Sequence, residues 1–217
     1  LEKWKQDNRQ HINDWFTALG EYEALSSFAT LSFNHPGWCF PVLQEQHFYM
    51  EANGVGHPLI DPAKRVDNDI HMHHSGELML VTGSNMAGKS TYLRSIGINV
   101  VLAMAGAPAC AHDLSLSPVQ LISSMRIADN LEESTSTFYA ELKKLKTVIE
   151  KVNQGEKVFI LLDEILRGTN SLDRHTGSAA LIRQLVQHKA AAIIATHDVE
   201  LARLEDNYPA QILNYHF

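Results

Sequence analysis

One stretch near the middle of the chain has the spacing of a phosphate-binding loop. Residues 78–91 read LMLVTGSNMAGKST, so an apolar run meets the pattern Gly-x-x-x-x-Gly-Lys-Ser just before a helical pattern begins. Glycines let such a backbone curl until its N–H groups converge on phosphate oxygens, and the dipole of the following helix adds positive potential. Lys89 supplies a mobile charge for the β- and γ-phosphates, and the Ser90 hydroxyl can ligate Mg²⁺. Against the alternative of a chance glycine-rich turn, the flanking patterns predict a nucleoside triphosphate site, whose residues are Gly83, Ser84, Asn85, Met86, Ala87, Gly88, Lys89, Ser90 and Thr91.

A second apolar run ends in two acidic residues. VFILL at 158–162 is followed by Asp163 and Glu164. Ligands bind at the carboxyl ends of the strands in open α/β sheets, which is where these two side chains are expected. Asp163 would hold Mg²⁺ through its water shell, while Glu164 would orient and deprotonate an attacking water. The competing interpretation is a solvated acidic turn, which the phosphate-loop pattern upstream disfavours.

A third apolar run, AAIIAT at 191–196, ends in His197. If this strand neighbours the strand that ends in Asp163, the imidazole could reach the γ-phosphate or the attacking water. A lone histidine more often has a structural role, and only the position at a strand end favours a catalytic one here. The three strand ends together predict phosphoryl transfer to water, with Lys89, Glu164 and His197 as catalytic residues.

The elements that must position these residues follow from the hydrophobic pattern. From residue 78 onward, short apolar runs alternate with helical patterns. Strands that alternate with helices favour an α/β fold in which helices flank a largely parallel sheet. We expect helices near residues 89–106, 137–153, 172–188 and 198–204.

The first thirty residues have a different character. They are polar, with apolar positions at mostly helical spacing, which predicts one long amphipathic helix. The breaker-rich stretch NHPGWCFP marks a boundary after it. We therefore expect a long helix over residues 1–35 and an α/β domain over residues 36–217. Because the chain begins at Leu1 and ends on the strand-like ILNYHF, we also expect an excised fragment with a truncated C-terminus.

Composition narrows the classes of partner. The 217 residues include 18 Lys and Arg against 25 Asp and Glu, a net charge of −7 that argues against a broad basic face for nucleic acid. No apolar run approaches the length of a membrane span, so no membrane partner is expected. Cys39 and Cys110 are far apart and outside any metal-ligand spacing, which favours reduced thiols and an intracellular, cytoplasmic location.

The motifs also resemble a known family. TGSNMAGKSTYLR, LLDEILRGTNSLD and ATHD, in this order, are similar to the ATPase domain of the MutS family of DNA mismatch repair proteins, within the wider class of ABC-type ATPases. The resemblance runs from about residue 50 to the end of the chain. It implies a P-loop NTPase fold, ATP and Mg²⁺ as cofactors, and a homodimer or family heterodimer that meets through the ATPase face. It also implies that DNA is bound by domains mostly absent from this chain.

The segment RIADNLEESTSTFYAEL at 126–142 resembles the signature loop of that family. The resemblance implies that Ser136 reaches the γ-phosphate bound by a partner subunit. Hydroxyl groups before an amphipathic helix can present free N–H groups to a phosphate, although a simple helix cap has the same composition. The resemblance also places three coupling residues at the same interface, and these are Thr169, Asn170 and Asp173.

Some positions depart from the family pattern. The second and fifth loop residues are usually proline and glycine in the family, and Ser84 and Ala87 stand there, which predicts a divergent branch that still binds nucleotide. Gly56, in GHPLI, takes the place of an arginine. The aromatic residue that stacks on adenine is replaced by Arg65 or Val66, and either a guanidinium plane or an apolar contact could take its role.

The histidines of HMHHS at 71–75 are a possible metal site. Alternate and adjacent histidines before an exposed turn are more often solvated, so we expect no metal beyond Mg²⁺.

Two other functions remain open. A transporter or SMC-like ABC ATPase shares the loop and the acidic pair, but no Leu-Ser-Gly-Gly-Gln-like segment is present. A module that uses ATP only to assemble would bind without hydrolysis. The prediction that fits best is an ATPase of a MutS-like repair protein that converts hydrolysis at a dimer interface into a DNA-linked conformational change.

Overall fold

The computed structural model describes residues 1–45, 48–84, 86–125 and 137–217. The chain forms two compact units, Leu1–Trp38 and Cys39–Phe217. Asn85 and Ser136, two of the predicted site residues, lie outside the described residues.

The first unit is helical, but it does not form the single helix predicted over residues 1–35. It consists of α1, Glu2–Asn8, and α2, Ile12–Asn34. The Asn8 side chain donates a 2.8 Å hydrogen bond to the carbonyl oxygen of Trp4, so it competes with the backbone where the first helix ends. None of the residues of the two helices is buried. This unit therefore has no core of its own.

The second unit contains nine strands, three α-helices and one 3₁₀ helix within its described part. In chain order its elements are β1 (Val42–Leu43), β2 (Met50–Val55), β3 (Asn68–Met72), β4 (Leu78–Thr82), α3 (Lys89–Met104), β5 (Asp113–Leu116), β6 (Gln120–Ser124), α4 (Thr137–Asn153), β7 (Val158–Asp163), α5 (Ser171–Gln187), β8 (Ala191–Thr196), the 3₁₀ helix Val199–Asp206, and β9 (Ile212–His216).

Five of these strands form a parallel sheet in the order β6-β7-β8-β4-β9. Its central strands are buried along their whole length, and alternate residues of each strand enter two different cores. Phe159 and Leu161 of β7 join the core that includes α3, while Ile160 and Leu162 join the core under α4 and α5. The continuous apolar runs thus reflect a sheet covered on both faces. The predicted α/β class, with helices flanking a largely parallel sheet, is confirmed.

Four further strands form a small mixed sheet in the order β1-β5-β2-β3. Strand β2 pairs antiparallel with both β3 and β5, and β1 pairs parallel with β5. Its inner face includes Met50, Ile70 and Leu114, which pack in the same core as α3. None of the helices in the described part of the chain combines the length and apolarity that a membrane crossing requires.

Candidate functional site

The strand order brings the three predicted strand ends to one edge. Strand β8 lies between β4 and β7, and the register pairs Thr82 with Thr196 and Asp163 with Ala195. Because all three strands are parallel, the residues that follow them leave the sheet at the same side. The phosphate-loop motif, Glu164 and His197 are therefore neighbours in space.

The loop between β4 and α3 has the backbone that its glycines suggest. Gly83 has a φ angle of +147° and Gly88, which caps α3, has a φ angle of +101°. A Cβ atom at position 83 would lie 2.5 Å from the carbonyl oxygen of Phe217, so a side chain does not fit there. The Phe217 N–H in turn donates to the Thr82 carbonyl at 2.9 Å. The end of β9 thus holds the start of the loop.

The side chain of Lys89 is buried inside this loop. Its Nζ donates 2.8 Å hydrogen bonds to the carbonyl oxygens of Gly83 and Ser84, and the residue is only 5% exposed. Nζ also lies 3.3 Å from Nδ1 of His197, which itself lies 3.1 Å from the Gly83 carbonyl oxygen. Lys89 therefore holds the loop closed on its own carbonyl groups and joins it to the end of β8.

The two acidic residues after β7 have different surroundings. Asp163 is buried, and among the residues that the structure describes nothing accepts or donates a hydrogen bond at its Oδ1 atom. An unpaired buried carboxylate oxygen is costly, and carboxylate and hydroxyl oxygens are the ligands that Mg²⁺ prefers. Asp163 therefore fits a Mg²⁺ site. Ser90, the predicted second ligand, is the second residue of α3.

Glu164 lies at the centre of an ionic cluster. One carboxylate oxygen contacts Nε2 of His197, and the other contacts the guanidinium of Arg167. The backbone of Glu164 has a φ angle of +51°, and its N–H donates to the Ala195 carbonyl at 2.9 Å. A left-handed conformation at a non-glycine residue is strained and is often found at functional sites. Sequence reasoning did not identify Arg167, although a cation three residues after an acid on one turn is a recognisable signal.

The turn after Glu164 is fixed by a residue from another helix. The N–H of Leu166, whose φ angle is +59°, donates a 2.6 Å hydrogen bond to Oε1 of Glu141 in α4. Nothing in the sequence indicates this contact, because the two residues are 25 positions apart. Helix α4 is therefore tied directly to the segment that follows the acidic pair.

The three predicted coupling residues form the cap of α5. The Asn170 side chain accepts a 2.9 Å hydrogen bond from the Asp173 N–H and donates to the Asp173 carboxylate at 2.7 Å. Thr169 Oγ1 donates to the same carboxylate at 3.3 Å. One turn later, His175 Nδ1 lies 2.6 Å from Oδ2 of Asp198, the residue after His197. The start of α5 is thus linked to the end of β8.

Comparison with known proteins decides the family. The family model described as MutS domain V matches residues 79–217, well over half of the chain. The chain belongs to the MutS family. The DNA mismatch repair protein MutS of Chlorobium phaeovibrioides is 32% identical over 211 residues, which cover 94% of this chain and 24% of that protein.

Two further relatives extend the comparison. The MutS protein of Granulibacter bethesdensis is 35% identical over 201 residues, covering 88% of this chain and 21% of that protein. The DNA mismatch repair protein MSH3 of Phaeosphaeria nodorum is 30% identical over 215 residues, covering 95% of this chain and 19% of that protein. The chain therefore spans about a quarter or less of the length of these MutS-family relatives.

Several positions that depart from the MutS pattern have local explanations. Ser84 contributes its backbone carbonyl to Lys89, which any residue type can supply. At Gly56, a Cβ atom would lie 2.1 Å from Nε of Arg65, so the Arg65 side chain occupies the space in front of this glycine. Arg65 also forms a two-pronged ion pair with Asp67, at 2.5 and 3.0 Å, and this hydrogen bonding raises the pKa of the guanidinium. Of the two candidates for adenine contact, Val66 is the exposed one, at 78%.

Proposed function

We propose that this chain binds ATP with Mg²⁺ and hydrolyses it, as an ATPase domain of the ABC type in a MutS-family protein. The observation that carries the proposal is the chain of contacts from Lys89 through His197 to Glu164, next to Asp163, whose buried Oδ1 has no hydrogen-bond partner among the described residues. A phosphate loop, a cation, a water-orienting acid and a metal-binding acid at one sheet edge are the parts that phosphoryl transfer to water needs.

Each residue then has a distinct role. The N–H groups of residues 83–91 bind the phosphates, and the Lys89 ammonium neutralises their charge. Glu164 orients the attacking water and accepts its proton, while His197 contacts the γ-phosphate or the water. Asp163 and Ser90 would hold Mg²⁺, which neutralises charge on the phosphate oxygens when it is bound. We propose that the water attacks the γ-phosphate in line with the leaving group.

The contacts within the chain mean that nucleotide binding requires a rearrangement. Lys89 must exchange the carbonyl oxygens of Gly83 and Ser84 for phosphate oxygens. Each carboxylate oxygen of Glu164 already has one partner, so a water must share or compete for these oxygens with His197 and Arg167. We propose that the γ-phosphate attracts His197 and thereby frees Glu164. This order of events would make hydrolysis depend on a correctly placed triphosphate.

The remaining parts of the proposal concern partners. We propose a homodimer or family heterodimer in which Ser136 of each subunit completes the phosphate site of the other, and in which ATP binding drives a conformational change on DNA. The names of the relatives, which are mismatch repair proteins, support DNA as the partner of the complete protein. Mismatch recognition itself would depend on parts of the relatives that this chain does not cover.

The experiment is ATP hydrolysis per chain over a wide range of protein concentration. We expect a rate that rises with concentration, that is abolished by Glu164→Gln, and that is unchanged by Glu150→Gln, a matched change at an exposed ion pair on α4. ATP binding should persist in Glu164→Gln, because the loop is intact.

Two results would count against parts of the proposal. A rate that is independent of concentration while Glu164→Gln still abolishes it would mean a self-sufficient monomer site, or a dimer that is already complete at the lowest concentration. Tight ATP binding without turnover in the unmodified protein would favour the assembly module instead.

A further inference from the structure

The outer face of the small sheet brings two histidines and a glutamate together. Strands β2 and β3 pair antiparallel, with Glu51 directly opposite His71 and Met50 opposite Met72. Both methionines are buried in the core. Because side chains alternate between the two faces of a strand, Glu51 and His71 point away from that core, and His73 shares their face.

The distances between these side chains are close to those of a metal site. Glu51 Oε1 lies 3.9 Å from His71 Nδ1, and Glu51 Oε2 lies 3.7 Å from His73 Nε2. One potential ligand atom from each residue lies within 4.8 Å of the other two. Ligands of a tetrahedral Zn²⁺ are about 3.4 Å apart, since each lies about 2.1 Å from the ion. The three side chains are between 40% and 46% exposed, so small rotations can bring them to that spacing.

Neighbouring groups already hold two of the three residues in place. The Tyr49 hydroxyl donates a hydrogen bond to Oε2 of Glu51, and the Tyr49 ring stacks on His73 with 5.2 Å between ring centroids. The backbone N–H of His73 donates to Oε2 of Glu77 at 2.6 Å, which fixes the main chain at this residue. A hydrogen bond to a ligand side chain, such as the one from Tyr49 to Glu51, orients ligands around metal ions in proteins.

We propose that Glu51, His71 and His73 form a binding site for a divalent transition-metal ion, with Zn²⁺ as the expected occupant. Two imidazoles and a carboxylate are a ligand set that suits Zn²⁺, and water would complete the tetrahedron. Mg²⁺ prefers six oxygen ligands and does not compete for such a site. The ion would crosslink β2 and β3 on the outside of the sheet. The site is separate from the residues assigned to ATP, and the proposal does not depend on hydrolysis.

The first test is calorimetric titration of ZnCl₂ into the 217-residue protein, in buffer that contains millimolar MgCl₂ and no nucleotide. We expect one Zn²⁺ per chain at this site. His71→Ala, His73→Ala and Glu51→Gln should each weaken the affinity by at least the factor of about 10 to 100 that loss of an outer-shell partner alone causes. His74→Ala is the matched control, since His74 is an exposed neighbour outside the cluster.

The second measurement is the melting temperature with and without ZnCl₂. Zn²⁺ should raise the melting temperature of the unmodified protein and of His74→Ala, but not that of the three ligand variants. Without metal, the melting temperatures of the ligand variants should stay close to that of the parent, because the three side chains are partly exposed at the surface. The absence of Zn²⁺ binding in the parent would overturn the proposal. Zn²⁺ binding that survives all three substitutions would also overturn the proposal, and so would Zn²⁺ binding that is lost in His175→Ala. His175 belongs to a second group of possible metal ligands, with Asp198 and Glu200.

Discussion

At the scale of single residues, Gly83 has two reasons to be a glycine. Its φ angle is +147°, and a Cβ atom would lie 2.5 Å from the backbone oxygen of Phe217. Gly106 is the matched comparison, because its φ angle is +78° and no atom of the described residues lies within 4 Å of an added Cβ. We expect Gly106→Ala to lower the free energy of unfolding by about 1 kcal/mol, which is the backbone cost alone. Gly83→Ala should lower it further, by about 2 kcal/mol or more, and should weaken ATP binding.

Urea denaturation of both variants measures the difference. Equal losses for the two alanine variants would mean that the end of β9 yields to the new side chain. ATP affinity, measured in the same samples before denaturant is added, separates a local effect on the loop from a general loss of stability.

Asn99 is a polar residue at the centre of a contact between segments. It is completely buried, its Nδ2 donates to the Gly56 carbonyl at 2.9 Å, and its Oδ1 accepts from the Cys110 N–H at 2.6 Å. Asn99→Leu keeps the number and branching of the side-chain heavy atoms but leaves both backbone groups unpaired. Each orphaned group costs about 1 to 3 kcal/mol, so we expect the free energy of unfolding to fall by about 2 to 6 kcal/mol.

Chemical denaturation checks this value against Asn153→Leu, which makes the same change at an exposed position on α4. A loss below about 0.5 kcal/mol in Asn99→Leu would show that water or a backbone shift satisfies the two groups.

At the scale of elements, the tie between α4 and the end of β7 is the contact to test. The Glu141 carboxylate accepts a hydrogen bond from the N–H of Leu166, which lies two residues after Glu164. We expect Glu141→Ala to lower kcat by about 10- to 100-fold, because Glu164 loses its fixed position, while the KM for ATP stays close to that of the parent. Glu141→Gln keeps the hydrogen-bond acceptor and should retain most of the activity.

Steady-state kinetics of the two variants tests whether the hydrogen bond of Glu141 acts on the catalytic step. A rise in KM without a change in kcat would assign Glu141 to nucleotide binding instead. If glutamine is as damaging as alanine, then the charge of Glu141 matters and not its hydrogen bond.

At the scale of the whole molecule, Tyr92 links stability to alkaline pH. Burial, with smaller contributions from Tyr215 and Asp69, raises the pKa of its phenol well above the ordinary value of 10.0. The folded protein therefore keeps this proton at a pH where the unfolded chain has lost it, and the associated stability is present below pH 10 and lost as the pH rises further. We expect the free energy of unfolding to fall more steeply above pH 10 in the parent than in Tyr92→Phe.

Denaturation at a series of pH values from 8 to 11 tests this expectation. Tyr139→Phe is the control, since Tyr139 is 62% exposed. Near pH 8 the Tyr92→Phe variant should be about 1 kcal/mol less stable, because the hydrogen bond from the phenol to the Asp69 carbonyl is lost. Parallel pH profiles for parent and Tyr92→Phe would contradict the assignment.

The sequence by itself determined the class of fold and the main chemical groups. Continuous apolar runs such as residues 158–162 indicate strands buried on both faces, and helical periodicity predicted a helix over 137–153, where the structure has α4. These signals are local, so they can be read from one segment at a time. The phosphate-loop motif is equally local, since its spacing and its flanking elements lie within about twenty residues.

Only the tertiary structure decided which groups meet. The small sheet was not predicted, because β2 pairs with β5 about sixty residues away and its six residues include a glycine. The contact between Lys89 and His197 spans 108 positions and exists because β8 lies between β4 and β7. The partners of Glu164 and the cluster around Glu51 arise in the same way. Periodicity shows that a segment is a strand, but the choice of neighbour depends on the packing of the whole core, and that choice places the side chains of each site together.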